Sequence, residues 1–183
     1  MTKSEDKPGA HAGENATSAA EALGELYELN MPKVFRYISY RVGDTYLAQD
    51  LTSTVFEKAL KGFGSYRSDK ASSSTWLITV ARNTVIDYYR SMDGKQQVVA
   101  LDQVSEMASS RPSPEDEAIR NDELRRLYVC LAGLSQDERE IISLKFGAEF
   151  TNRQIAQMLG FSESKVGTRL YRAVLKLRDK FEE

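Results

Sequence analysis

The chain has 183 residues, 41% of them apolar and 28% charged, with a formal net charge of −2; this is the profile of a water-soluble protein long enough for one large domain or two small ones. No apolar run approaches the roughly 20 residues a membrane span needs, and Lys3 and Lys7 are followed by no apolar segment, so neither membrane insertion nor a secretory leader is expected and the cytoplasm is the default location. With Cys130 as the single cysteine and His11 as the single histidine, the sequence has no intrachain disulfide, Cys/His metal cluster or histidine triad, and no catalytic residue, metal or cofactor is expected.

Residues 1–19 are rich in Gly, Ala, Ser, Glu and Lys without periodicity and read as a disordered tail. From Ala20 the pattern is helical. Ala22, Leu23, Leu26, Tyr27 and Leu29 make a first apolar face. Pro32 suits the first position of a second helix, which runs to Val42 with Val34, Phe35 and Ile38 inward. Gly43 closes it and Asp44 caps a third helix, whose apolar side carries Leu47, Ala48, Leu51, Val55, Ala59 and Leu60. Gly62 and Gly64 interrupt the pattern, and Ser72, Ser73 and Ser74 offer caps for a helix from about Thr75 to Arg90. In that helix Leu77, Val80, Ala81, Thr84 and Tyr88 form a core face, with Arg82, Asn83, Ile86, Tyr89 and Arg90 toward the other side. Aromatic rings interleaved with Arg and Asn suit single-stranded DNA, since rings stack on bases and basic groups hold the backbone. Trp76 fits core packing as well as base stacking.

Ser91 to Pro114 lacks periodicity and reads as a linker. Ser113-Pro114-Glu115-Asp116 then starts a helix, in which Cys130 shares an apolar stretch with Leu127, Leu131 and Leu134 as a buried small hydrophobe. Charge is uneven: Lys61 to Arg90 carries +3, Ser91 to Glu123 −5, and Glu163 to Lys180 +4.

The final fifty residues are the most informative. Ser135 and Glu138 make a capping box for a helix with Ile141, Ile142, Leu144 and Phe146 apolar and Gly147 at its end. Thr151 caps a short helix with Ile155, Ala156 and Leu159. Gly160 closes it in a left-handed conformation, Phe161 turns inward, and Ser162 caps the last helix. A short helix, a turn of about three residues with Gly and a longer capped helix is a helix-turn-helix. In the last helix Val166, Leu170, Val174, Leu177 and Phe181 form an apolar stripe, and Lys165, Arg169, Arg172 and Lys176 a basic stripe about 100° around. The basic stripe suits phosphates, and Ser164, Lys165, Gly167, Thr168 and Arg169 lie in the first turns, where base edges are met. Gly167 costs about 1 kcal/mol against Ala in a helix interior; close backbone approach to DNA is one reason for it, a tolerated weak spot the other.

AQDLTSTVFEKAL (48–60) with STWLITVARNTVIDYYR (74–90), followed by LSQDEREIISLKF (134–146) with TNRQIAQMLGFSESKVGTRLYRAVLKLR (151–178), resembles bacterial sigma factors of the extracytoplasmic-function group, in order and spacing, over nearly all of residues 20 to 180. The resemblance implies an all-α architecture: region 2 at 20–92, a flexible acidic linker at 93–120 and region 4 at 121–183. It implies a sigma factor, not an enzyme, that directs core RNA polymerase to promoters. Asp50, Ser53, Thr54 and Glu57 would face the β′ clamp helices, and region 4 would meet the β flap. Tyr66, Trp76, Arg82, Asn83, Asp87 and Arg90 would open the minus-ten element and capture a flipped base, with Asn83 of Ala81-Arg82-Asn83 at the centre. Ser162, Ser164, Lys165, Gly167, Thr168, Arg169, Arg172 and Lys176 would read the minus-thirty-five duplex. The linker would thread the polymerase's basic channels, and an anti-sigma protein is an expected partner.

The chain departs from the family pattern at Ser53 and Thr54, where Gln-Glu is usual, at Gln154, where Glu is usual, and at Gly167. A stand-alone helix-turn-helix regulator and a decoy or antagonist built on the same fold are the competing readings.

Overall fold

A computed structural model describes residues 11–67, 69, 71–92 and 114–182; the expected linker, apart from 114–120, lies outside the described residues. Helix α1 spans His11–Val42, α2 Thr45–Gly62, α3 Ser73–Met92, α4 Pro114–Ala132, α5 Gln136–Ile142, α6 Asn152–Leu159 and α7 Glu163–Glu182, with a 3-10 turn at Phe63–Ser65 and a π-helical turn at Ser143–Gly147. No strand occurs among the described residues.

The boundaries are set by local chemistry. Asp44 caps α2 by accepting from Leu47 N at 2.7 Å, and Ser72 accepts from Thr75 N at 3.2 Å to start α3. Ser135 and Glu138 form the expected reciprocal capping box on α5. Thr151 and Gln154 form a second on α6, so Gln154 does structurally what Glu would do, without the charge. Gly160, at φ 69°, closes α6.

The expected disordered tail is the first correction, since residues 11–19 belong to α1, which begins at His11. Pro32 is the second. It lies on the exposed side inside one continuous α1 rather than opening a second helix. An interior proline costs about 3 kcal/mol. Against this, α1 buries Leu26 on one side of Pro32 and Val34, Tyr37 and Ile38 on the other. Each such side chain contributes about 1.5–3 kcal/mol, so packing outweighs the break. Tyr27 and Leu29, expected to face inward, are exposed.

α1 packs against α2 and α3 to form the first half of the molecule, and its last turns also meet α5 and the π turn of the second half. A continuous core therefore runs from Val34, Ile38, Val55, Leu77, Ile78 and Val85 to Ile141, Leu144, Ile155 and Val166. Ile78 and Val85 supply core in α3, while Val80 and Tyr88, expected there, are half-buried. Leu60 of α2, also expected inside, is 59% exposed. A second cluster joins α4 to α7 through Tyr128, Leu131, Leu134, Ile142 and Ala173, and Cys130 is buried alongside.

The buried stripe of α7 is Val166, Leu170, Ala173 and Leu177; Val174 and Phe181, expected inside, are 40% and 41% exposed. The stripe turns by one residue at its third position because α4 lies against α7 there, and the small Ala173 lets the two helices approach. Phe146 is likewise exposed rather than core.

Gly167 has no intramolecular need to be glycine: a Cβ there would meet nothing closer than Asn152 Nδ2 at 3.9 Å. Gly167→Ala is expected to stabilise the fold by about 1 kcal/mol, read as a shifted denaturant midpoint with unchanged slope. Destabilisation would show a constraint at this position that the helix packing does not contain.

Candidate nucleic-acid interface

The recognition helix α7 begins at a cap, Ser162 Oγ accepting from Lys165 N at 3.2 Å. Its first turns present Ser164, Lys165 and Thr168 to solvent, with Arg172 and Lys176 farther along; Gly167 and Arg169 are half-buried. Thr168 Oγ1 donates to Ser164 O at 3.0 Å. Phe161 packs against the core and carries two cations over its ring, Lys165 Nζ at 4.1 Å and Arg169 Cζ at 4.8 Å from the centroid.

Two members of the basic stripe are held by acids of α5, a feature the helical pattern of α7 alone did not reveal. Arg169 Nη1 donates to Asp137 Oδ2 at 3.0 Å, and Lys176 Nζ to Glu138 Oε1 at 2.5 Å. The Lys176 bond, the Ser135 backbone N–H and the Ser135 hydroxyl together hold the Glu138 carboxyl down at about 2, against the opposing effect of burial. A capped helix start flanked by aligned cations is a surface that accepts phosphate oxygens while short polar side chains reach base edges.

In the first half, three rings gather where α2 gives way to α3. Tyr66 lies 4.8 Å from Trp76 and 6.2 Å from Phe63 between centroids, and Tyr66 Oη donates to Ala71 O at 3.2 Å. Trp76 is half-buried and packs against the core, so it combines the two roles its sequence position left open. Phe63 was not among the residues expected here; its place beside the glycine-interrupted stretch 62–64 was the available signal. Along α3, Asn83, Asp87 and Arg90 recur at spacings of four and three and are all exposed. Asp87 sits 3.7 Å from Lys58 Nζ, whose other contact is Thr84 Oγ1 at 3.2 Å.

Arg82 does not join that row. One position back on the helix, it points to the second half, with Nε donating to Glu140 Oε1 at 3.2 Å. Tyr89 and Ile86, expected on the outer side, are half-buried, and Tyr89 Oη donates to Arg41 O at 2.9 Å. The structure thus brings Tyr66 and Trp76 together and aligns Asn83, Asp87 and Arg90, but it separates Arg82 from them.

The outer face of α2 carries Asp50, Ser53 and Glu57, exposed, and Thr54, half-buried with Oγ1 donating to Asp50 O at 3.0 Å. The exposed Tyr46 and Leu60 lie at the two ends of α2, apolar groups the sequence pattern did not assign to a surface.

One half carries a helix-turn-helix, a DNA-binding motif, and the other a ring cluster beside a polar helical row. Among the described residues there is no acid, histidine or cysteine cluster able to hold a metal, and no helix long and apolar enough to cross a membrane. Residues 26–94 match sigma-70 region 2, and residues 124–177 match sigma-70 region 4. The chain is 33% identical over 168 residues to the ECF RNA polymerase sigma factor BldN of Streptomyces coelicolor, covering 92% of this chain and 61% of BldN. It is 32% identical over 168 residues to the ECF RNA polymerase sigma factor SigL of Mycobacterium tuberculosis, covering 90% of this chain and 92% of SigL. The structure of the sigma factor RpoE of Bartonella quintana, in complex with the anti-sigma factor NepR, shares the fold with a TM-score of 0.68 and 21% identity, over 88% of this chain and 98% of that one. The chain belongs to the extracytoplasmic-function group of RNA polymerase sigma factors.

The Glu138 carboxyl generates a pH prediction. Its value in the folded protein, about 2, lies below the ordinary 4.5, so its contribution to stability is present above the ordinary value and is lost as pH falls toward 2. Glu138→Gln is expected to lower the thermal midpoint at pH 7 and to lose that deficit between about pH 4.5 and pH 2. A deficit that stays constant across this range would show that the carboxylate charge is not what stabilises the α5–α7 contact.

Proposed function

We infer that this chain binds core RNA polymerase, directs it to promoters and opens them, with the two halves reading the minus-ten and minus-thirty-five elements. One observation carries the assignment of roles: a single chain pairs an exposed Asn83–Asp87–Arg90 row beside the Tyr66–Trp76 rings with a capped recognition helix bearing Lys165, Thr168, Arg169 and Arg172. A duplex regulator needs only the second of these surfaces. The first fits unpaired bases, because extruding a base costs a few kcal/mol in stacking and pairing that must be returned by rings and polar groups already in place.

The polymerase contact is assigned to the Asp50, Ser53, Thr54 and Glu57 face of α2, for the β′ clamp helices, and the β flap to the region 4 half. Ser53 and Thr54 remove charge from the first of these faces, and its exposed neighbours Tyr46 and Leu60 supply apolar contact instead. An anti-sigma partner follows by analogy with RpoE of Bartonella quintana, whose structure was solved with one. The chain acts in the cytoplasm with the polymerase and performs no catalysis of its own.

Minus-thirty-five recognition tests the second half. Each cation placed on a phosphate contributes a slope of about −0.9 to the dependence of log affinity on log salt concentration. Changing Arg169 and Arg172 together to Glu is expected to remove specific duplex binding and to flatten the salt slope of the residual binding by about 2. An unchanged slope would make the basic stripe a solvated face.

Minus-ten opening tests the first half. Asn83→Ala is expected to slow promoter opening at least tenfold, read as permanganate reactivity of unpaired thymines, while polymerase affinity stays within twofold of wild type. Normal opening would remove Asn83 from the base-capturing pocket.

A further inference from the structure

The turn before the recognition helix carries an aromatic ring placed with unusual firmness. Gly160, at φ 69°, closes α6, and its N–H and that of Phe161 both donate to Ala156 O, the latter at 2.9 Å. Two main-chain bonds to one carbonyl fix the direction in which the Phe161 side chain leaves the backbone. The ring is half-buried and packs against the core. It also carries Lys165 Nζ at 4.1 Å and Arg169 Cζ at 4.8 Å from its centroid.

Lys165 is held twice by this turn. Its backbone N–H donates to Ser162 Oγ at 3.2 Å, and its ammonium lies over the Phe161 ring. Among the described residues the ion pairs of α7 are Arg169–Asp137, Lys176–Glu138 and Arg178–Asp179, so Lys165 meets the ring without a carboxylate. Arg169 follows one turn later and is shared between the ring and Asp137 Oδ2, which lies 3.0 Å from Nη1. Like charges four residues apart on a helix repel. The ring offers its electron-rich face to both cations, and Asp137 offsets part of the Arg169 charge.

Holding these cations matters because charge alone draws α7 to any duplex. Phosphate contacts fix the register and orientation of a reading helix, and base edges are met only from that register. A lysine stem is flexible and loses rotamer freedom when its ammonium is bound. A cation that is already restrained loses less of it at the moment of binding. Ser164 and Thr168, the short polar residues of the same turns, are exposed beside the two held cations.

We infer that Phe161 is a positioning residue for minus-thirty-five recognition. Its ring holds Lys165 and Arg169 where the phosphates of the element receive them, and so sets the register in which α7 reads the duplex. This rests on the function proposed above and adds to it a residue that acts through two others. Core packing asks only for an apolar side chain at this position; the two cations ask for an aromatic one.

Two measurements on the full chain test this. In the free protein, the Lys165 ε-methylene protons are expected to resonate upfield of those of the other lysines, to lose that displacement in Phe161→Leu and to keep it in Phe161→Tyr. With core RNA polymerase, affinity is compared on a promoter fragment that the wild-type chain uses and on a random-sequence duplex of the same length. Phe161→Leu is expected to weaken promoter binding by about fivefold, the size of a cation–ring contact. Its random-duplex binding and its salt slope stay unchanged, because the number of cations is the same. Phe161→Tyr restores wild-type affinity, and in a Lys165→Ala background the penalty of Phe161→Leu shrinks, because one of the two cations it releases is gone. If Phe161→Leu lowers the helix content read by circular dichroism, Phe161→Met takes its place. Unshifted Lys165 resonances in wild type, unchanged promoter affinity in Phe161→Leu, an equal loss in Phe161→Tyr, or a penalty undiminished by Lys165→Ala each overturns the positioning role. A wild-type chain that shows no preference for promoter over random duplex overturns the proposed function itself, and the Lys165 resonances then decide separately whether the ring holds the cation.

Discussion

Glu140 sits where the two halves of this chain press together, and the arrangement of the rest follows from how that carboxylate is surrounded. Removing a carboxylate from water costs several kcal/mol unless it is paired and hydrogen-bonded. Tyr37, Arg41 and Arg82 all turn to it from α1 and α3. That requirement orients the last turns of α1, and Tyr89 caps the Arg41 carbonyl from α3. It also draws Arg82 away from the exposed row of Asn83, Asp87 and Arg90 on α3. Close backbone packing at Gly147 completes the seam. The core is continuous across it, although the two halves match different sigma-70 regions.

A different class of ion pair orders the recognition helix. Arg169 with Asp137 and Lys176 with Glu138 join α7 to α5 within the second half, and in each pair at least one partner is well exposed. The Arg169–Asp137 pair, with its acid 74% exposed, is of the kind that contributes about 0–1 kcal/mol, whereas Lys176 is paired with a Glu138 carboxyl that is only 17% exposed and held down at about 2. The pairs at Glu140 join the two halves, and the pairs on α7 join it to α5 within the second half.

What the sequence made legible was local. Asp44, Ser135, Thr151, Gly160 and Ser162 act where their side chains or backbone freedom required, because a cap involves residues only three or four apart. The helix-turn-helix followed directly from those caps. Legibility failed wherever a distant neighbour decided the outcome. Pro32 reads as a helix start until the burial of Tyr37 and Ile38 is known. The choice between Ala173 and Val174 for the inner stripe of α7 depends on α4 lying against it, which no periodicity states. Arg82 and Asn83 are adjacent in sequence, yet Glu140, fifty-eight positions from Arg82, sends them to different surfaces. Glu140 itself carried no signal, since a glutamate in a helix between Arg139 and Ile141 looks like any solvated residue.

The central claim is that both reading surfaces serve one polymerase-dependent event. Mapping transcript start sites made by core RNA polymerase on fragmented genomic DNA of the source organism, with and without this chain, tests it most directly. Discrete new starts are expected, sharing one sequence element about ten base pairs upstream and another about thirty-five. If the chain bound specific duplex sites equally well without polymerase and generated no new starts, it would be a stand-alone duplex reader, and the roles given to Asn83 and the Tyr66–Trp76 rings would be wrong.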